Sequence, residues 1–414
     1  MRRPTYSRAS VTATGPEFGG RHALYEIDYS GSTEEIRRYC PFGAQAGGDA
    51  DRMKGLAEYD RDGWKVPDLR DPEELSYHLM RGKAGHRDRR QAGRRNGSLA
   101  VKAIRFERFG GPEVLRAVDM PDPVPGPGDV LVEVHAVSVV AGDCKLRNGE
   151  MTGPRAPRPP RVPGRDGAGI VRAVGAGVAG FEPGDRVCFT CRYDEQGSYA
   201  ELALRPESAV VRMPERLDFV EAAAVTHAGI CAYIAIVETA AVKAGDRVLV
   251  HAAAGAIGGI AVQLCRMLGA EVAGTCRARN VEHVRTLGAH LAIAYDREDF
   301  SRAISGQDVV LDMIGGDVHT RSRRVLRPGG RLVWLIAEPF GEPDGGRDIE
   351  VRQAIVRDSP EILGAVIRLA DEGRIRPLVS RVLPLHRAAE AHRIMEAGEN
   401  TRGRLVLDTT QAAP

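Results

Sequence analysis

The chain has 414 residues, enough for two domains and a tail. Its 58 Lys and Arg against 56 Asp and Glu leave a formal net charge of +2, which argues against a polyanionic partner, so nucleic acid is not expected as a ligand. Seven cysteines, an odd number without the spacing of a secreted disulfide scaffold, point to a reducing compartment and a cytoplasmic location.

Residues 1–100 are rich in Arg, Gly, Asp and Glu and poor in Leu, Ile and Val. Such a segment buries little core, and disorder is expected. It closes in a basic run, 81–95, which more often forms a solvated linker than a nucleic-acid arm. It has neither the apolar core of a signal peptide nor the acid-poor pattern of a transit peptide. Trp64 and the tyrosine-bearing stretch 24–39 keep a small separate domain as the alternative.

At Val101 the pattern changes. Val101-Lys-Ala-Ile-Arg-Phe106 begins a strand, 109–115 makes a turn, and 121–128 is a proline-glycine loop. Residues 130–139 alternate apolar and polar side chains, the period of a half-buried strand. Strand-turn units follow at 163–175, 181–187 and 197–201. Many short strands punctuated by glycine predict a compact barrel-like lobe. The longest apolar region, 219–242, is Ala-rich but carries Glu221, His227 and Glu238, which predicts a pair of buried helices and no membrane span.

The most telling stretch is 247–268. A short apolar strand, 247–251, runs into Ala252-Ala-Ala254-Gly255-Ala256-Ile257-Gly258, and an apolar-periodic helix over 258–268 follows. Strand, small-residue turn and helix in that order form a phosphate cradle, because the helix start offers unpaired amides and a partial positive charge. Gly255 and Gly258 let the backbone approach a dinucleotide's diphosphate. A second strand is predicted at 271–275. About twenty residues past the first glycine stands Cys276-Arg277-Ala278-Arg279 in place of an acid. An acid there would bind the ribose hydroxyl of NAD, whereas arginines suit an added 2′-phosphate, so NADP(H) is the expected cofactor. Solvated loop arginines are the alternative.

Strands and helices go on alternating: a helix over 280–287 with Asn280 as cap, strands at 291–294 and 308–312, a helix over 319–326 stopped by Pro328-Gly-Gly330, and a strand at 331–336. This alternation predicts a Rossmann-type, doubly wound parallel sheet. Ligands sit beyond the carboxyl ends of such strands, which places Asp312 and Leu335 beside the cofactor; Asp312 capping the next turn is the equal alternative.

Several motifs occur in order. They are Phe109-Gly-Gly-Pro-Glu-Val-Leu115, Pro163-Gly-Arg-Asp166-Gly-Ala-Gly169, Gly184-Asp-Arg-Val187, the Ala-Ala-Ala-Gly-Ala-Ile-Gly258 turn, Leu311-Asp-Met-Ile-Gly-Gly316 and Arg402-Gly-Arg404-Leu-Val-Leu407. With them, residues 101–410 resemble the medium-chain dehydrogenase/reductase superfamily, in its zinc-free quinone oxidoreductase-like branch. The resemblance implies a GroES-like catalytic domain over 101–225 and 342–414, an inserted NADP-binding domain over 226–341, a cleft between them, Arg404 at the cofactor, and a homodimer. It also implies that Val101-Lys-Ala stands where the family starts Met-Lys-Ala, so residues 1–100 are read as a start called too early.

Zinc enzymes of the superfamily carry a Cys and a Gly-His-Glu where this chain has Val140 and Gly164-Arg165-Asp166. Cys144 alone makes no site, and Cys188-x-x-Cys191 lacks a second pair, so no metal is expected. The chemistry left is hydride donation from NADPH to a quinone or an α,β-unsaturated carbonyl. The family's Asn and Tyr donors fall at Val140 and near Met151, which leaves Asp143, Lys145 and His227 as catalytic candidates, each with a structural alternative. Cys231 stands where the family often has Thr, and Arg155, Arg158 and Arg161 lie on a proline-rich loop at the cleft mouth. The rival readings are an NADPH-binding sensor or structural partner with little turnover, an NADP-dependent alcohol dehydrogenase-like enzyme, and a reductase of carrier-bound enones.

Overall fold

The computed structural model of the chain describes residues 9–13, 23–27, 100–151, 157–335 and 348–411. Two units result. In the first, β1 (Ala9–Ala13) and β2 (Ala23–Ile27) pair antiparallel, with Ala9 opposite Ile27. The rest of the segment expected to be disordered lies outside the described residues.

The second unit holds two lobes. The catalytic lobe starts with β3 (Ala100–Arg105) and β4 (Arg116–Pro121), an antiparallel pair. Its main sheet contains β5 (Asp129–Val139), β6 (Asp166–Val174), β7 (Arg186–Thr190), β8 (Leu202–Pro206), β9 (Val210–Arg212), β16 (Val379–Pro384) and β17 (Arg404–Asp408). The order is β16-β17-β5-β6-β7-β9, with β8 also on β5. β5 is buried at all four of its last positions, Ala136 to Val139, where alternation was expected. The reason is helix α2 (Phe219–Tyr233), which covers the face that would otherwise meet water. Helix α1 (Ala141–Asn148) follows β5 directly, α7 (Pro360–Asp371) packs on α2, and α8 (Ala388–Glu396) lies beside α1 through an ion pair of buried Arg147 with Glu396.

The nucleotide lobe is a six-stranded sheet of β10 (Arg247–Val250), β11 (Glu271–Cys276), β12 (Leu291–Ala294), β13 (Gln307–Asp312), β14 (Leu326–Trp334) and β15 (Ile349–Gln353), all parallel. Its order, β12-β11-β10-β13-β14-β15, reverses direction between β10 and β13. The sheet takes its last strand from beyond position 342, so the expected return to the catalytic domain comes later. Val248, Leu249, Val309, Val310 and Leu311 are fully buried, because α3 (Ala256–Met267) and α2 cover one face and α5 (Phe300–Ala303) and α6 (Gly316–Val325) the other.

Several boundaries differ from expectation for local reasons. α3 starts at Ala256, since Gly255 already takes the extended cap conformation. α6 ends at Val325, and Pro328-Gly-Gly330 falls inside β14 at a register shift, a place where a missing amide is tolerated. Asn280 does not cap α4 (Val281–Thr286); its amide donates to the Thr401 carbonyl, and its Oδ1 accepts from Arg402. Region 219–242 is one helix, not two: Asp218 caps it at the Glu221 amide, and it runs on into a π-helical turn at Ile234–Thr239. Among the described residues Phe219–Thr239 is the one helix long and apolar enough to cross a membrane, and most of it is buried inside the molecule.

A buried polar knot fastens α1 to the barrel. The Asp143 carboxylate accepts from the Val140 amide at 2.9 Å, the Gly164 amide at 3.2 Å and the Tyr199 hydroxyl at 3.2 Å. Tyr199 in turn lies 3.3 Å from Nε2 of buried His392 on α8. Burial, opposed by the Val140 amide and reinforced by the charge of Asp166, pushes Asp143 up to about 7.

Two outcomes are expected. Truncating Leu249→Ala should cost about 2–5 kcal/mol in denaturant unfolding, as for other fully buried leucines. Asp143 is protonated more readily folded than unfolded, so its stabilising protonated form is present at low pH and lost as pH rises toward about 7. Wild-type stability should therefore fall by a few kcal/mol between pH 4 and pH 7.5 relative to Asp143→Asn, and equal slopes for the two proteins would contradict this.

Candidate functional site

The turn after β10 is built as the sequence indicated. Ala252 takes φ 50°, a left-handed conformation unusual for alanine, and folds its carbonyl back onto the Gly255 amide at 2.9 Å. A Cβ on Gly258 would lie 2.3 Å from that same carbonyl, so glycine is needed here to pack the helix start against the turn. Ala254 and Gly255 line an open cavity, and no side chain caps α3. The first-turn amides of Ala256, Ile257 and Gly258 have no side-chain cap, the condition in which a helix start can serve an anion.

That cavity, about 440 Å³, continues past Gly255 and Cys276 to Arg277, Asn280, Tyr295 and Thr401. Arg277 is exposed at the tip of β11, and its Nε donates to the Tyr295 hydroxyl at 3.2 Å. Arg279 is also exposed but turns to the Thr401 hydroxyl, 3.3 Å away, and is not part of the lining. Cys276 is buried, and burial pushes its thiol up to about 11, so it stays neutral. Two acids approach this region, and both serve the backbone: Asp296 accepts from the Ala278 amide and Glu298 from the Ala294 amide. Arg321 also lines the cavity; it, Tyr295 and Thr401 are not among the residues the sequence pattern singles out. Tyr295 follows a predicted strand, where a pocket residue was there to be sought, whereas Thr401 comes from far down the chain.

Asp312 is a cap. Its Oδ1 accepts from the Ile314 and Gly315 amides and its Oδ2 meets His319 at 2.8 Å. Burial opposes its ionisation, but His319 and the two amides outweigh burial and hold it below the usual range. Fully buried, it shapes the loop beyond β13 and has no face toward the cavity. Leu335 is half-buried at the end of β14, its amide on the Asp312 carbonyl. Its side chain packs against the main core and is not part of the cavity lining.

Between the lobes, α2 and β17 bring a second group together. Arg404 is buried, with one nitrogen on the Val139 carbonyl and with Nε and Nη2 unpartnered. His227, on α2, has Nε2 3.6 Å from the Cys231 sulfur and Nδ1 unpartnered. Burial, then the charges of Arg165 and Arg404, hold His227 well below its ordinary range. Its imidazole is thereby held toward the neutral form, in which the ring can still offer a hydrogen bond. Asp143 is enclosed in its knot, and Lys145 is exposed on α1 with no ion pair among the described residues. Neither is placed as a catalytic acid.

A catalytic zinc does not fit this lobe. Arg165, where the zinc enzymes carry a histidine ligand, forms an ion pair with Asp358 at 2.7 Å and donates to the Cys191 carbonyl. A dication would be repelled by that guanidinium. Cys188 and Cys191 are fully buried thiols, pushed up by burial to about 12 and about 11. Among the described residues no three His, Cys, Asp or Glu side chains converge as metal ligands. Of the loop arginines, Arg161 is structural: it donates to the Tyr193, Asp194 and Glu195 carbonyls. Arg158 is exposed, and Arg155 lies outside the described residues.

Comparison with known proteins agrees with this architecture. Residues 126–215 match the alcohol dehydrogenase GroES-like domain and 287–407 the zinc-binding dehydrogenase family. The chain is 33% identical over 328 residues to a quinone oxidoreductase of Sus scrofa, a match covering 75% of this chain and 98% of that one. The solved quinone oxidoreductase of Coxiella burnetii superposes with TM-score 0.69 at 33% identity, covering 75% of this chain and 99% of that one. That of Escherichia coli complexed with NADPH gives 0.68 at 28%, covering 74% and 99%. The chain belongs to the medium-chain dehydrogenase/reductase superfamily, in its quinone oxidoreductase-like branch.

Proposed function

We propose that the protein is a zinc-independent, NADPH-dependent oxidoreductase that reduces a quinone or an α,β-unsaturated carbonyl. The observation that carries the cofactor choice is Arg277, exposed in the cavity where NAD-dependent sites need an acid. The α3 amides would receive the diphosphate and Arg277 the 2′-phosphate. Arg404 supplies two further buried donors that protein groups leave unused. The E. coli relative solved with NADPH supports the same reading. When bound, the reduced nicotinamide supplies the hydride.

The protein's part is then to exclude water, orient the acceptor and steady the negative charge that grows on its oxygen. With His227 held toward the neutral form and Asp143 enclosed in its knot, fixed hydrogen-bond donors do this work. Quinones and enones suit that arrangement, since their reduced oxygens can take a proton from water. The second reading, an NADPH binder with little turnover, draws on Val140 in place of the family's Asn and on exposed Lys145.

Three outcomes are expected. Purified protein should oxidise NADPH with 1,4-benzoquinones or cyclic enones, and exhaustive chelation should leave the rate unchanged. Arg277→Ser should weaken NADPH binding by about 10- to 100-fold, the loss of one charge-assisted contact, with NADH affinity kept within a factor of about two. The same change at Arg279 should cost less. Tight NADPH binding with no acceptor-dependent oxidation would favour the binder, and equal effects of Arg277→Ser on both cofactors would overturn the NADP assignment.

A further inference from the structure

Val140 and Met151, on either side of α1, offer no side-chain O–H or N–H, yet a hydroxyl does stand over the start of that helix. It belongs to Tyr193, on the loop after β7. A Cβ built on Gly142, two residues past Val140, would sit 1.7 Å from the Tyr193 oxygen. The missing side chain at Gly142 is what lets the phenol reach the start of α1. The loop is held from below: Arg161 donates to the Tyr193 carbonyl at 2.8 Å and to its two successors. The Arg165 guanidinium, fixed by Asp358, lies over the ring at 5.3 Å from its centre. The ring packs against the barrel core.

We propose that Tyr193 is a catalytic residue of the reduction proposed above, on which this inference rests: its hydroxyl donates a hydrogen bond to the carbonyl oxygen of the acceptor. In an enone, hydride adds at the β-carbon, the C=C pair shifts toward the carbonyl, and oxygen takes the negative charge. Tyr193 stabilises that charge and keeps its own proton, and water supplies the proton that completes the saturated ketone. Burial and the neighbouring Asp143 charge raise the phenol above its ordinary range, so it remains an O–H donor at physiological pH.

The test uses the full chain with two variants, Tyr193→Phe, which removes the oxygen alone, and Gly142→Ala, whose methyl displaces it. The first readout is kcat with NADPH and 2-cyclohexen-1-one or 1,4-benzoquinone. Both variants should lose on the order of 10- to 100-fold, somewhat less than a charged or backbone donor, with NADPH affinity unchanged. The second readout is the infrared carbonyl band of 2-cyclohexen-1-one added to the NADP+-saturated protein, where no reduction follows. Wild type should lower its frequency and both variants should not. A wild type that turns over an acceptor while both variants keep its kcat and its band overturns the role of Tyr193 alone. A wild type that binds NADPH and reduces neither acceptor overturns the hydride-transfer reading and this inference with it.

Discussion

Among the hydrogen bonds that join the two lobes, one lies inside the turn after β10. The Gly403 amide donates to the Ala254 carbonyl at 3.0 Å, inside the turn that follows β10, and Gly403 bridges Gly255 alongside it. Gly403 takes φ 50°, and a Cβ there would lie 2.4 Å from the Leu378 carbonyl, so only glycine can hold this position. The next residue opens β17, which pairs with β5 and leads to α1. The turn after β10, buried Arg404 and the end of β5 that leads into α1 are therefore tied together through β17.

Burial governs the chemistry that this frame encloses. His227 loses its charge, Asp143 is drawn toward neutrality, and the cysteines remain thiols. The permanent charges, Arg165 and Arg404, are guanidiniums that cannot shed a proton. A cleft made in this way presents fixed donors to an oxygen or a phosphate and has little capacity to exchange protons. That suits a reaction whose hydride comes from a cofactor and whose proton can come from solvent. It suits metal-assisted alcohol oxidation poorly, because Arg165 fills a ligand position and is locked to Asp358.

The parts visible in the sequence were those written in local patterns. Strand, turn and helix around Gly255, the strand at 291–294 and the arginine at 277 all follow from spacing over a few residues, and the structure places them within a residue or two. Errors arose where a distant segment decides the outcome. β5 is buried on both faces because α2 returns over it, and Asn280 is drawn from its cap by Thr401 and Arg402, more than a hundred residues on. Asp312, equally readable as cap or ligand, became a cap once His319 came within reach. Arg165 with Asp358, and Tyr193 over Gly142, depend on loop paths that no periodicity encodes.

In the proposed function a dinucleotide's diphosphate rests on the turn between β10 and α3, with its 2′-phosphate toward Arg277. Hydrogen–deuterium exchange with and without saturating NADPH tests it most directly. Slower exchange is expected in peptides covering 252–258 and 276–280, with the second effect smaller for NADH. Unchanged exchange in both segments at saturating cofactor, or protection confined to other parts of the chain, would contradict the account.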